Sequence, residues 1–170
     1  IKNRHGSYLE LFNDPEVDGI YVATHHPLHA RDTIAALSAG KPVLCEKPFA
    51  MSYEETKAMV DKAREKNLLL MEAMWARYLP HMVRIREIIN SGVLGEIISV
   101  RADHGQWFKL DPEFRLFKPE LGGGALFDLG IYVVSFASMV LGTPERVTAR
   151  STKAFTGVDG QTSIILEYKS

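Results

Sequence analysis

Cys45 is the only thiol in the chain, so no internal disulfide is available, which fits a reducing compartment. Neither sign of charge prevails. Lys and Arg number 20 against 21 Asp and Glu, and a net charge of -1 offers no electrostatic footprint for nucleic acid or an anionic membrane. No uninterrupted apolar run reaches the roughly 18 residues of a membrane span. A charged start followed by an apolar segment and a small-residue cleavage site is equally missing, so neither a span nor a signal peptide is expected. Repeats and low-complexity linkers are absent too. These absences place the chain in the cytoplasm with a small molecule or another protein as its partner. With 46% hydrophobic residues over 170 positions, it has enough apolar side chain to bury a core in one large or two small domains.

The first half alternates segments of helical and extended pattern, as in a parallel sheet flanked by helices. Ser7 to Phe12 reads as a short helix, Gly19 to Thr24 as a buried strand, and Pro27 to Ala39 as a helix stopped by Gly40. Pro42 to Glu46 is the next strand. Ser52 caps a helix with Glu55 at the capping-box position, and Leu68 to Met71 is a third strand. Ligands of such sheets lie beyond the carboxyl ends of the strands, which directs attention to Thr24 to His29 and Glu46 to Pro48.

The element order changes near residue 73, so the domains are expected at 1–72 and 73–170. Pro80 to Ile89 forms an amphipathic pattern, Glu96 to Asp103 alternates like a strand, and Asp111 to Glu120 has the composition of a functional loop. Gly122, Gly123 and Gly124 open an apolar helix running to about Leu141. Two strands follow, Arg146 to Phe155 and Gln161 to Tyr168, joined by a turn from Gly157 to Gly160. This second half is α+β.

Lys47, after Glu46 and before Pro48, sits where an open α/β sheet presents side chains to a ligand. An ammonium partly stripped of water there transfers protons or polarises a hydroxyl near neutral pH; a solvated lysine does neither. Asp128 and Tyr132, four residues apart on the helix, project side by side. They form a substrate clamp whose phenol a neighbouring ammonium such as Lys47 activates, or they are a core tyrosine and a carboxylate serving the helix dipole. The three glycines mark either a flexible helix start or a close approach of backbone to a ligand. His25, His26 and His29 lack a nearby third ligand, so no metal is expected, and Cys45 within an apolar strand reads as an inert thiol.

Ala23 and Thr24, His29 and Ala30, Ala39 to Val43, Glu46 to Pro48, and Gly122 to Ala125 followed by Asp128, Gly130 and Tyr132 together resemble the Gfo/Idh/MocA oxidoreductases. The likeness runs nearly end to end, with five segments in the family's order and at its intervals. Met74 to Pro80 and Gly105 to Trp107 look closest to the trans-dihydrodiol and NADP-dependent xylose dehydrogenases within it. The resemblance implies the second half of a Rossmann-type doubly wound sheet followed by the start of an α+β open-faced sheet domain. It implies NADP or NAD as cofactor, with NADP favoured, and a sugar or diol as substrate. Lys47 would be the active-site lysine, Tyr132 the acid–base group and Asp128 the residue that orients substrate hydroxyls. Thr24, His25, His29, Glu46, Lys47 and Pro48 would touch the cofactor, and Trp75 and Arg77 would line its cleft, with Trp107 helping to hold the substrate. Relatives associate through the sheet domain, so a homo-oligomer, dimer or tetramer, is implied for the full-length protein; Val147 to Ala149 and Ile164 to Leu166 are apolar enough to allow it.

Three departures stand beside these matches. The family's initial strand, GxGxxG turn and cofactor-selecting residue do not occur in these 170 residues, nor do its last sheet strands, so a fragment is expected. His25 and His26 also stand where relatives often have Pro and Asn. Competing readings are a non-catalytic nucleotide-binding relative and a lyase or glycosidase that uses NAD transiently.

Overall fold

In the computed structural model, which describes residues 3–169, the chain divides after Ala73 into two units. The first begins with α1 (Tyr8–Asn13), whose orphan amide at Glu10 donates to the hydroxyl of the capping Ser7 at 3.2 Å. Three strands follow, β1 (Ile20–Val22), β2 (Val43–Glu46) and β3 (Leu70–Ala73), linked through α2 (His29–Ser38) and α3 (Tyr53–Lys66). They form a parallel sheet in the order β1-β2-β3, with Val22 opposite Cys45 and Cys45 opposite Glu72. Strand periodicity decides the core: Ile20, Val22, Val43 and Cys45 turn inward, while Tyr21 and Leu44 turn to the other face and stay exposed. Ala36 and Leu37 of α2 and Met59 and Ala63 of α3 complete the same cluster, so both helices bury one stripe against the sheet.

Two helix ends explain where the strands start. Past α2, Gly40 has φ 84° and the next amide, Lys41 N–H, turns back to Ala36 O at 3.0 Å. Past α3, Asn67 takes the left-handed conformation and Leu68 N–H bonds Ala63 O at 2.9 Å. Leu68 therefore belongs to the helix end, and β3 runs from Leu70 rather than from Leu68 as its apolar pattern suggests. The capping box is also displaced. Ser52 Oγ accepts from Glu55 N–H, but the Glu55 carboxylate accepts from Met51 N–H at 2.9 Å instead of closing on Ser52.

The second unit contains a short 3₁₀ turn at Trp75–Tyr78, α4 (Pro80–Asn90), and 3₁₀ turns at Arg115–Phe117 and Pro119–Leu121. A π-helical turn, Leu126–Gly130, then runs directly into α5 (Ile131–Leu141). The antiparallel hairpin β4 (Arg146–Lys153) and β5 (Asp159–Glu167) closes the unit, with a register irregularity at Thr152 and Lys153. Glu96 to Asp103 makes no strand, contrary to its alternating pattern. Alternation only says which side chains would share a face; a strand exists by pairing, and among the described residues nothing pairs with this segment. Ile98 is accordingly exposed.

The stretch Pro119–Leu141 corrects another expectation: its 23 residues reach a mean hydropathy of 1.8 in an 18-residue window, long and apolar enough by composition to cross a membrane. Counting uninterrupted apolar residues missed it because the glycines and Asp128 break the run. Two polar contacts tie it to the rest of its unit, an ion pair at Asp128 and a guanidinium on Ser135.

Met59 is fully buried between α3 and the sheet, so Met59→Ala should destabilise the protein by about 2–5 kcal/mol, read as a lower urea midpoint with an unchanged slope. Burial pushes the Cys45 thiol from 9.0 up to about 11. Two units mean about a hundredfold less thiolate at pH 8 than in the unfolded chain, so iodoacetamide should label native Cys45 at least that much more slowly than the urea-unfolded protein. Equal rates would show that the strand opens.

Candidate functional site

In the first unit the carboxyl ends of β1 and β2 bring Thr24, His25, Glu46, Lys47 and Pro48 to one sheet edge. His29 holds that edge together. Its ring is fully buried, with Nδ1 2.8 Å from Pro48 O and Nε2 2.9 Å from Thr24 O, so one side chain of α2 ties the loop after β1 to the loop after β2. This corrects the expectation that His29 touches a cofactor: both nitrogens face protein carbonyls and the ring has no exposed surface. Thr24 likewise turns its hydroxyl inward, donating to Asp32 Oδ2 at 3.0 Å, and Arg31 Nε donates to the other Asp32 oxygen at 2.8 Å.

Glu46 is similarly committed. Its Oε1 accepts from Tyr21 Oη and its Oε2 from Lys47 N–H at 3.2 Å. The Tyr21 phenol is held above its ordinary pKa, first by this bond to the carboxylate and then by burial. Pro48 follows a cis peptide bond and is buried, whereas Lys47 is half-buried and His25 exposed. Of the six residues expected at this edge, His25 is exposed and Lys47 half-buried, while Thr24, His29 and Glu46 bond to neighbouring protein groups and Pro48 is buried. Among the described residues no three His, Cys, Asp or Glu side chains group to hold a metal.

In the second unit the surroundings of Tyr132 carry the geometry. Trp75 Nε1 donates to Tyr132 Oη at 2.9 Å, and the two rings meet edge-on with centroids 5.7 Å apart. His104 packs on the opposite partner of that pair, its ring centroid 5.6 Å from Tyr132. Arg77 does something other than line a cleft. Its Nε donates to Ser135 Oγ at 2.8 Å and its Nη2 to Ser135 O at 3.0 Å, a two-point tether between the Trp75–Tyr78 turn and α5.

Asp128 is buried and pairs with Arg115 at 3.0 Å. The side-by-side picture of Asp128 and Tyr132 on one regular helix needs amendment, because Asp128 lies in the π turn and Tyr132 in the α-helix after it. A π turn holds more residues than an α turn and recurs at functional sites. The glycines now have a physical account. A Cβ on Gly123 would lie 2.5 Å from Leu116 O, and one on Gly124 would lie 2.1 Å from Asp159 Oδ1. The close approach is to the protein's own backbone and carboxylate. Beside this contact is a cavity of about 70 Å³ lined by Phe108, Leu116, Phe117, Asp128, Val158 and Asp159. That is about half of the roughly 150 Å³ that holds a benzene ring in an engineered apolar cavity. Trp107, expected to hold substrate, is 84% exposed and packs on none of the rings described.

His104, Arg115, Ser135 and Asp159 were not singled out by sequence reasoning. Asp159, as an acidic residue in a glycine-flanked turn, looked like turn chemistry, and Arg115 like a loop charge. Only the fold shows what each reaches.

The family described as "Oxidoreductase family, NAD-binding Rossmann fold" matches residues 3–74, and "GFO/IDH/MocA C-terminal domain" matches residues 82–170. Trans-1,2-dihydrobenzene-1,2-diol dehydrogenase of Xenopus laevis is 44% identical over 170 residues, covering 99% of this chain and 51% of that protein. D-xylose 1-dehydrogenase (NADP(+)) of Hypocrea jecorina is 40% identical over 180 aligned residues, covering 96% of this chain and 46% of its own. The structure of levoglucosan dehydrogenase in complex with NADH and levoglucosan superposes with a TM-score of 0.91 at 29% identity, over 98% of this chain and 49% of that one. The chain thus spans about half the length of the relatives it matches. With an NAD-binding Rossmann segment followed by the family's C-terminal domain, the chain belongs to the Gfo/Idh/MocA oxidoreductases.

Proposed function

We propose that the protein carrying this chain is an NAD(P)-dependent dehydrogenase that oxidises a secondary or hemiacetal hydroxyl of a sugar or dihydrodiol. The observation that carries the reading is the phenol of Tyr132, hydrogen-bonded by Trp75 Nε1 and contacted by the ring of His104 at the start of α5. The Trp75 donor fixes the position of Oη, and a positioned phenolate there serves as base for a substrate hydroxyl. Relatives named as dihydrodiol and xylose dehydrogenases support the substrate class.

The residues fit a dinucleotide, because a parallel sheet whose carboxyl edge is held by buried His29 leaves His25 exposed and Lys47 half-buried at the place where such sheets take nucleotides. When bound, the nicotinamide supplies the hydride acceptor. NADP is favoured by the xylose dehydrogenase relative, while the NADH complex of the levoglucosan enzyme keeps NAD in the comparison. Tyr132 takes the hydroxyl proton at Oη, and the Lys47 ammonium stabilises the oxyanion that develops as the proton leaves. Asp128, ion-paired with Arg115, is read as the carboxylate that orients the substrate hydroxyl. The same reading puts the enzyme in the cytoplasm as a homo-oligomer, dimer or tetramer, joined through the sheet whose outer positions Val147 and Ile165 are exposed.

In the intact enzyme Tyr132→Phe should lower kcat by about a hundred- to ten-thousand-fold, and Lys47→Ala should do the same, measured as reduced nicotinamide formed from NAD or NADP with xylose, glucose or a trans-dihydrodiol. Near-normal turnover by Tyr132→Phe would remove Tyr132 from the acid–base role.

A further inference from the structure

We propose that Asp159 is a positioning residue for this reaction, setting the register of the turn that aims Asp128 and Tyr132; the role rests on the acid–base reading of Tyr132. Asp159 stands at the start of β5, far along the chain from the residues it serves. Its Oδ2 accepts from Leu126 N–H at 2.7 Å and from Thr162 Oγ1 at 3.0 Å. Thr162 Oγ1 is in turn 2.8 Å from Ser151 Oγ across the hairpin, so the carboxylate is held by the sheet before it holds the helix.

Leu126 is where that grip matters. It is the first residue of the π turn, and its own carbonyl accepts from Ile131 N–H, the residue before Tyr132. One peptide segment is thereby fixed at its N–H by Asp159 and passes the register on through its C=O. The π turn is a rare and marginal arrangement. Relaxing it by one residue into α register would rotate the side chains before the slip by about 100° relative to those after it. Asp128 lies on one side of that boundary and Tyr132 on the other.

Two neighbours seat the carboxylate from the opposite side. Gly124 N–H donates to Leu116 O at 2.9 Å, and Gly124 has φ 118°, with no room for a Cβ against Asp159 Oδ1. The glycine and the carboxylate thus occupy complementary space, and a side chain at position 124 would expel Asp159 from its bond to Leu126. A misplacement of about 1 Å at a reacting group costs on the order of a hundredfold in rate, so the pin has a catalytic consequence without touching substrate.

The test uses the intact enzyme and four forms, Asp159→Ala, Asp159→Asn, Tyr132→Phe and the double Asp159→Ala with Tyr132→Phe, assayed well below each variant's unfolding temperature. Asp159→Ala should lose about 10- to 100-fold in kcat with the cofactor KM within about twofold of wild type. Asp159→Asn, whose amide oxygen still accepts the Leu126 N–H, should recover to within about fivefold of wild type. In the double variant the Asp159 change should add less than about threefold to the Tyr132→Phe loss, since both act through one group. A purely stabilising cap would lower the unfolding temperature and leave kcat within about twofold, and that result, or losses that multiply in the double variant, overturns the proposal. Amide exchange over residues 124–132 reads the pin without catalysis. It should rise in Asp159→Ala and stay near wild type in Asp159→Asn. Unchanged exchange in Asp159→Ala overturns the positioning role whatever the kinetics, whereas an active Tyr132→Phe enzyme overturns only the acid–base reading.

Discussion

A half-buried carboxylate on a backbone N–H ties the second unit together: the bond from Leu126 N–H to Asp159 Oδ2 joins the hairpin to the segment that carries Asp128 and Tyr132. Gly123 and Gly124 are small because the backbone passes against Leu116 O and the Asp159 carboxylate. Asp128 can then meet Arg115, whose 3₁₀ turn is fixed by the bond from Gly124 N–H to Leu116 O. Midway along the helix that follows, Arg77 grips Ser135, so the segment is held at the π turn by a carboxylate and within α5 by a guanidinium. Charged side chains serve as fasteners here because a helix with no fully buried residue draws little from packing.

The first unit uses one imidazole for a comparable purpose. Parallel strands expose their carboxyl ends as loops, and loops need a fastener if they are to present Lys47 reproducibly. His29 supplies it from a helix rather than from the loops themselves, bridging carbonyls of Thr24 and Pro48 that lie in different crossovers. Thr24 and Glu46 are similarly spent on Asp32 and Tyr21. Residue types that recur near a nucleotide thus divide into those left at the surface and those bonded into the rim.

Legibility in the sequence followed the range of the interactions. Local signals were readable: Ser52 as a cap, Gly40 as a helix stop, and the apolar run around Ile20 and Val22 as a strand, though Tyr21 within it turns to the exposed face. The parallel order could be expected from alternating elements. What sequence could not supply were partners. Glu96 to Asp103 alternates without a neighbour to pair with, and Leu68, apolar enough for a strand, is held by the end of α3. The π turn has no composition of its own to read, and the carboxylate that accepts from its first amide, Asp159, lies 33 residues away. Lys47 was singled out by its place after a strand and Asp128 and Tyr132 by their spacing, whereas His104, Arg115 and Asp159 have no spacing to read.

That division bears on how substrate choice is built. The polar groups around Tyr132 and Asp128 arrive from separate segments, Trp75 from the turn before α4, His104 from an unpaired segment and Arg115 from a loop turn. Since the helix beneath them is fixed by Asp159 and Arg77, the segments above it are free to vary in chemistry without disturbing the phenol. Fixed groups beneath variable segments let one scaffold carry different site chemistries, because loops tolerate change that packed elements do not.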